Sequence, residues 1–255
     1  MKLIEHKFLS SELYNSRKIS ILVPDDLTKR YPVLYVHDGA YIFRKNTPFG
    51  AESLEIDLAL EAVKKDLIVV GIPAMEWEER TKEYSPFPWV GSASKYLPSG
   101  MEKGEQYLEF IVKTLMPWVE AFLPVISDYE HTFMLGSSLG AQLTLYASLA
   151  YPDYFSKLGL FSLATWGNEQ AMDDFLMSHP PFKTTSYFVR VGGKEGIPRD
   201  LSDLGECYPR ISQKTVDLLN KFTSAPADFK INPEGRHKTL DWSKEMIDFL
   251  TWLNI

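Results

Sequence analysis

Apolar residues along this chain fall into short unbroken runs alternating with longer stretches at helical spacing. Residues 31–40 (Tyr31-Pro32-Val33-Leu34-Tyr35-Val36-His37-Asp38-Gly39-Ala40) and 66–72 carry apolar runs without polar alternation. That is the signature of strands buried on both faces. Residues 131–135, 157–163, 185–192 and 228–232 read as further strands. Between them lie helical patterns. Residues 51–65 place Leu54, Leu58, Ala62 and Val63 on one side, and Leu139, Leu143, Tyr146, Ala147 and Ala150 recur until Pro152 stops the helix. Residues 105–123 predict a helix kinked or broken near Pro117. Residues 168–178, 211–222 and 241–253 predict three more, the last closing the chain. Two extended segments, 3–8 and 18–23, open it, with Pro24-Asp25-Asp26 as the following turn.

Strands alternating with helices imply a mostly parallel sheet covered by helices on both faces, an α/β architecture. The opening pair, joined by a short turn region, predicts antiparallel edge strands. Periodicity fails between residues 73 and 105, where Met75, Trp77, Pro86, Phe87, Pro88, Trp89 and Pro98 stand among polar and small residues. So long a loop inside a compact domain is uncommon and usually functional. No internal repeat, low-complexity segment or domain-sized linker interrupts the pattern, so one domain is expected over residues 1–255.

Composition narrows the partners more than the chemistry. Hydrophobic and charged fractions of 45% and 24% over 255 residues are those of an ordinary globular protein. A net charge of −7 argues against nucleic acid or an anionic membrane as main partner. The single cysteine, Cys207, has no histidine near it in sequence and reads as a structural or incidental thiol. Residues 1–7 lack the apolar core of a signal peptide, and no apolar run approaches membrane-spanning length, so a cytoplasmic protein is expected. The histidines at 6, 37, 131, 179 and 237 show no ligand spacing, so no metal is expected. A small molecule is the expected partner. A homo-oligomer stays open.

The candidate chemistry centres on His131-Thr132-Phe133-Met134-Leu135-Gly136-Ser137-Ser138-Leu139-Gly140-Ala141-Gln142-Leu143. A strand-like run meets Gly-x-Ser-x-Gly and passes at once into a helix, the context in which that pattern sets a nucleophilic serine on a sharp turn. Ser138 is in register, and Gly136 and Gly140 give the turn room. A serine hydroxyl needs an adjacent base. Functional groups in such sheets gather beyond the carboxyl ends of the strands. There the last strand is followed by Pro233-Glu234-Gly235-Arg236-His237, which makes His237 the candidate base. The orienting acid should follow a strand between the two. Glu195 stands nearest such a strand end, with Asp200 and Asp203 as rivals. Oxyanion donors are expected from the N–H of Leu139 and from the turn after the third strand, at Ala40 or Tyr41. Asp38 in that turn could tie it to Arg80. Trp77, Arg80, Phe87 and Trp89 are the candidate substrate-binding residues.

Several segments together resemble the putative-esterase family of α/β-hydrolases, which includes enterochelin and feruloyl esterases. They are Leu34-Tyr35-Val36-His37-Asp38-Gly39, Glu79-Arg80-Thr81-Lys82-Glu83-Tyr84-Ser85-Pro86, Gly136-Ser137-Ser138-Leu139-Gly140, Tyr151-Pro152-Asp153-Tyr154-Phe155 and Gly235-Arg236-His237. The likeness runs over residues 15–253 and lies in the order of the motifs. It departs where Ala141 replaces a common glycine and where the turn reads His-Asp-Gly-Ala. The resemblance implies an α/β-hydrolase sheet, no cofactor, and Ser138, Glu195 and His237 as the triad. The expected function is hydrolysis of a small-molecule ester through an acyl-enzyme. Siderophore trilactone hydrolysis and acyl transfer are alternatives within that chemistry. Arg44, Lys45, Arg80 and Arg199 are the cations that could meet anionic catecholates. A hydrolase-fold protein that only binds is the alternative from another class.

Overall fold

Eight strands build one sheet in the computed structural model, which describes residues 1–44, 51–196 and 207–255. They are β1 (Lys2–Ser10), β2 (Asn15–Val23), β3 (Val33–His37), β4 (Ile68–Ile72), β5 (Thr132–Ser137), β6 (Lys157–Phe161), β7 (Ser186–Gly192) and β8 (Asp228–Asn232). Their order is β1-β2-β4-β3-β5-β6-β7-β8. β1 pairs antiparallel with β2 and β2 antiparallel with β4, while every other neighbouring pair is parallel. This is an α/β-hydrolase sheet with antiparallel N-terminal strands. β1 forms the edge, and β2 lies one place inside it.

The unbroken apolar runs have a direct cause. Along β3, Val33 and Tyr35 point into one hydrophobic cluster with Tyr107, Leu108, Ile111 and Leu143. Leu34 and Val36 point into the other, with Leu54, Leu60, Phe249 and Leu250. A strand with a core on each side has no polar face to show.

Helices α1 (Ile56–Val63), α2 (Trp77–Glu83), α3 (Gly104–Glu109), α4 (Met116–Phe122), α5 (Leu139–Ala150), α6 (Glu169–Ser178), α7 (Cys207–Leu219), α8 (Thr239–Ser243) and α9 (Met246–Trp252) complete the described chain. Several differ from the sequence reading. α1 begins at Ile56, not residue 51. A short helix, α2, lies inside the stretch expected to be irregular. α3 and α4 are joined by a π-helical turn, Phe110–Leu115, just before Pro117. Proline has no N–H to return to the preceding turn, and the wider turn absorbs the mismatch without a break. The closing segment is two helices, α8 and α9, with Glu245 between them reaching Arg190 at 3.2 Å. No helix among the described residues is long and apolar enough to cross a membrane.

Candidate active site

Ser138 is the single residue between β5 and α5, with φ 58° and ψ −124°. Few side chains tolerate such a backbone, and it persists only where the surroundings impose it. Ser138 N–H donates to Phe161 O at 2.8 Å, and Ser138 O accepts from Ala141 N–H at 3.0 Å. A Cβ at Gly136 would lie 2.2 Å from Gly140 O, so the strand end and the first helical turn touch backbone to backbone. A Cβ at Gly140 would lie 3.2 Å from the Cβ of His37, a milder crowding imposed by β3.

His237 arrives from the turn after β8. Its Nε2 lies 2.9 Å from Ser138 Oγ, and its Nδ1 lies 2.9 Å from Glu195 Oε2. Glu195 follows β7 and is buried. Its Oε1 accepts from Gly192 N–H at 2.7 Å and from Ser162 Oγ at 2.5 Å. Ser162 Oγ in turn accepts from Trp242 Nε1 at 2.7 Å. The turns carrying Glu195 and His237 are laced together by Gly193 N–H to Asn232 O (2.7 Å) and Lys194 N–H to Gly235 O (2.9 Å). A Cβ at Gly192 would lie 2.4 Å from the carbonyl carbon of Gly235, so only glycine permits this approach. The rival acids Asp200 and Asp203 lie outside the described residues, as do Lys45 and Arg199.

Ser138, Leu139 and His237 open onto a cavity of about 540 Å³ walled by aromatic rings. Trp77, Arg80 and Trp89 line it as expected. Trp77 is 68% exposed, whereas Trp89 is buried, its indole N–H given to Ser85 Oγ at 2.9 Å. Arg80 is held by Asp38 through two hydrogen bonds of 2.7 and 2.8 Å, so its charge is paired where the wall meets the β3 turn. Phe87 is a correction: it packs away from the cavity, its ring 5.5 Å from those of Tyr146 and Phe175.

The β3 turn is a second correction. Leu139 borders the cavity at the start of α5, where a helix leaves N–H groups without intrahelical partners. Ala40 and Tyr41 do not border it. The turn Gly39–Tyr41 is pressed onto β4, where a Cβ at Gly39 would lie 2.3 Å from the carbonyl carbon of Gly71. Ala40 faces a separate depression with Arg17 and Pro73, and Tyr41 borders a smaller cleft with Ser137. Tyr41 N–H closes the turn on Asp38 O at 3.1 Å.

Sequence reasoning missed Trp166, Tyr208 and Trp242, which complete the wall. Tyr208 lies over His237, ring centroids 4.6 Å apart and planes 34° apart, while Trp242 meets the imidazole edge-on at 5.0 Å. Each of the three sits in a segment after a strand's carboxyl end, so the rule that located His237 would have flagged them.

A family model described as putative esterase matches residues 10–253. The chain belongs to the putative-esterase family. Among curated proteins it is similar to the uncharacterized protein YbbA of Bacillus subtilis, 26% identical over 96% of this chain and 95% of that one. Among solved structures it is similar to an IroE-like serine hydrolase from Shewanella oneidensis, with TM-score 0.74 and 18% identity over 98% of this chain and 80% of the other. It is also similar to the enterobactin esterase FES from Shigella flexneri, with TM-score 0.73 and 18% identity. That match covers 99% of this chain, which spans 59% of the Shigella protein's length. These structural likenesses carry the fold. Membership of the family supports ester hydrolysis in general terms.

Proposed function

We propose that this member of the putative-esterase family is a serine hydrolase that cleaves carboxylic esters through an acyl-enzyme. The carrying observation is the unbroken line Ser138 Oγ–His237 Nε2 and His237 Nδ1–Glu195 Oε2, each 2.9 Å, at the floor of an aromatic-walled cavity. In this reading Ser138 Oγ attacks the ester carbonyl carbon while its proton passes to His237 Nε2. The tetrahedral intermediate carries its negative oxygen toward the N–H of Leu139 at the head of α5. Collapse breaks the carbon–alkoxy bond, and His237 returns the proton to the departing alcohol. Water then attacks the acyl carbon, giving its proton to His237, and Ser138 leaves with it. Glu195 holds the tautomer with the proton on Nδ1 and stabilises the imidazolium.

The wall favours an uncharged, flat acyl or alcohol group. Trp77, Trp89, Trp166 and Trp242 offer ring surface, and Arg80 is already neutralised by Asp38. That pairing weighs against an anionic catecholate as the group held there.

Ser138→Ala should lower kcat by at least about 10⁴-fold and abolish fluorophosphonate labelling while the protein stays folded. Glu195→Gln should be nearly as damaging. Its amide oxygen must face Gly192 N–H, which turns the NH₂ toward His237 Nδ1 and drives the imidazole proton onto Nε2, where a base is needed. The measurements are steady-state kinetics on nitrophenyl esters and peptide mapping of the label. A label on Ser137, or wild-type rates in Ser138→Ala, rejects the assignment.

A further inference from the structure

Glu195 Oε1 is held from two sides, by Gly192 N–H at 2.7 Å and by Ser162 Oγ at 2.5 Å. The direction of the second bond follows from its neighbours. An indole N–H can only donate, and an ionised carboxylate can only accept. Ser162 Oγ stands between the two, 2.7 Å from Trp242 Nε1. A lone pair of the hydroxyl therefore takes the indole proton, and its single proton goes to Glu195. Ser162 is wholly buried and follows β6 directly, with φ 53°. A residue other than glycine is strained in that conformation and keeps it only where its surroundings impose it. Here they do so on two sides. Ser162 N–H donates to Arg190 O of β7 at 2.7 Å, and Phe161 O, one residue earlier, accepts from Ser138 N–H at 2.8 Å. The strained residue is thus tied both to the serine turn and to the strand that leads to Glu195.

We propose that Ser162 is a positioning residue for the reaction, acting through Glu195. This rests on the reading of Ser138, His237 and Glu195 as a triad. A glutamate carboxylate sits at the end of three side-chain torsions, and the last of them is broad. Two donors on Oε1 take up that freedom and leave Oε2 facing His237 Nδ1 at 2.9 Å. The acid then holds the imidazole in the one orientation that turns Nε2 toward Ser138. Trp242 aims the hydroxyl, because its N–H occupies the acceptor side of Ser162 and sends the proton toward the carboxylate. The same indole borders the cavity and meets the imidazole edge-on at 5.0 Å. Trp242 therefore has two separable parts, an N–H that serves the acid and a ring that walls the cavity.

Ser162→Ala and Ser162→Gly both remove the hydroxyl, but only glycine relieves the backbone strain. With 4-nitrophenyl esters, both should lower kcat by about 10- to 50-fold and slow fluorophosphonate labelling of Ser138 by a similar factor, with KM within about twofold of wild type. Ser162→Gly should melt higher than Ser162→Ala without regaining activity. Trp242→Phe removes the N–H and trims the ring, so it should lower kcat by less and also change KM. Placed on Ser162→Ala, it should still change KM but cost clearly less in kcat than it does alone, because that part of its effect runs through the missing hydroxyl. A kcat within twofold of wild type in both Ser162 variants, with wild-type Ser138 labelled, overturns the proposal and leaves the triad standing. Recovery of wild-type kcat in Ser162→Gly alone also overturns it, since only the shape of the turn would then matter. Losses in kcat that multiply in full when Ser162→Ala and Trp242→Phe are combined count against it equally. Absence of label on Ser138 in the wild-type protein removes the triad, and both readings fall together.

Discussion

His37 ends β3 directly beneath the first turn of α5, and its surroundings decide its charge. It is 2% exposed, its Nδ1 lies 3.3 Å from Tyr107 Oη, and Tyr84 packs against the ring. Burial, opposed only in part by Asp38, lowers its ionisation from 6.5 to about 4. The His37 imidazole is therefore neutral near pH 7. A consequence for stability follows by linkage. Between about 4 and 6.5 the unfolded chain binds a proton at this position that the folded chain refuses. Stability should therefore fall as pH drops through that window and level off below it, by a total on the order of 3 kcal/mol from this group. Replacing His37 by Gln, which stays neutral, should flatten the fall. Urea midpoints for both proteins from pH 7 to pH 4 check this; parallel curves would show that His37 contributes nothing to the slope.

At the scale of elements, the stretch from Pro73 to Glu105 shows how a helix can escape a pattern search. α2 reads Trp-Glu-Glu-Arg-Thr-Lys-Glu and has no apolar stripe. It docks by charge instead. Glu83 accepts from Arg17 of β2 at 2.7 Å, a pair almost wholly buried, and Arg80 grips Asp38 at the end of β3. Buried pairs of this kind are costly to break from one side. The stretch around α2 also divides its aromatic residues by role, which makes the substrate reading testable. Trp77 stands largely in solvent at the cavity mouth, so Trp77→Ala should change the kcat/KM ratio between aromatic and acetyl esters with little effect on melting. Trp89 is buried against Gly167, where a Cβ would meet its ring at 2.7 Å. Trp89→Ala should shift the same ratio and also cost about 3–5 kcal/mol in urea unfolding. Phe87→Ala, lying in the packing with Tyr146 and Phe175, should lower stability and leave the ratio alone. A ratio unmoved by Trp77→Ala and Trp89→Ala alike would make the segment scaffolding.

For the whole molecule, what was legible in the sequence follows from what each feature leaves behind locally. The central strands declared themselves because a core on each side demands continuous apolar runs, as in Val33–His37 and Ile68–Ile72. The Ser138 turn declared itself because backbone contact at Gly136 admits only glycine. Strand order, the Arg17–Glu83 pair under α2, and the packing of Tyr208 and Trp242 against His237 left no local trace, since each is defined by a neighbour distant in sequence. The meeting of Ser138 with His237, 99 residues apart, and of His237 with Glu195, 42 apart, is of the same kind. It depends on β5, β7 and β8 ending at the same edge of a parallel sheet, with β6 between β5 and β7.

That dependence has a sharp test in the glycines where the β7 and β8 turns touch. The atoms a new methyl would meet are backbone and cannot swing aside as a side chain would. At Gly192 the approach is 2.4 Å to Gly235, at Gly235 it is 2.9 Å to Gly192, and at Gly193 it is 3.0 Å to Pro233. Strand pairing below the contact, Gly192 beside Asn232, should survive. What must move is the turn above it, which carries His237. A displacement of about 1 Å at a reacting group can cost about 100-fold in rate. Gly192→Ala should therefore lower both kcat and the rate of fluorophosphonate labelling by at least about that factor, with a comparatively small loss of melting temperature. Gly235→Ala and Gly193→Ala should follow in that order of severity, because the approach distances rank them so. If Gly192→Ala labels Ser138 at the wild-type rate, the contact between the two turns does not set the distance from His237 to the serine.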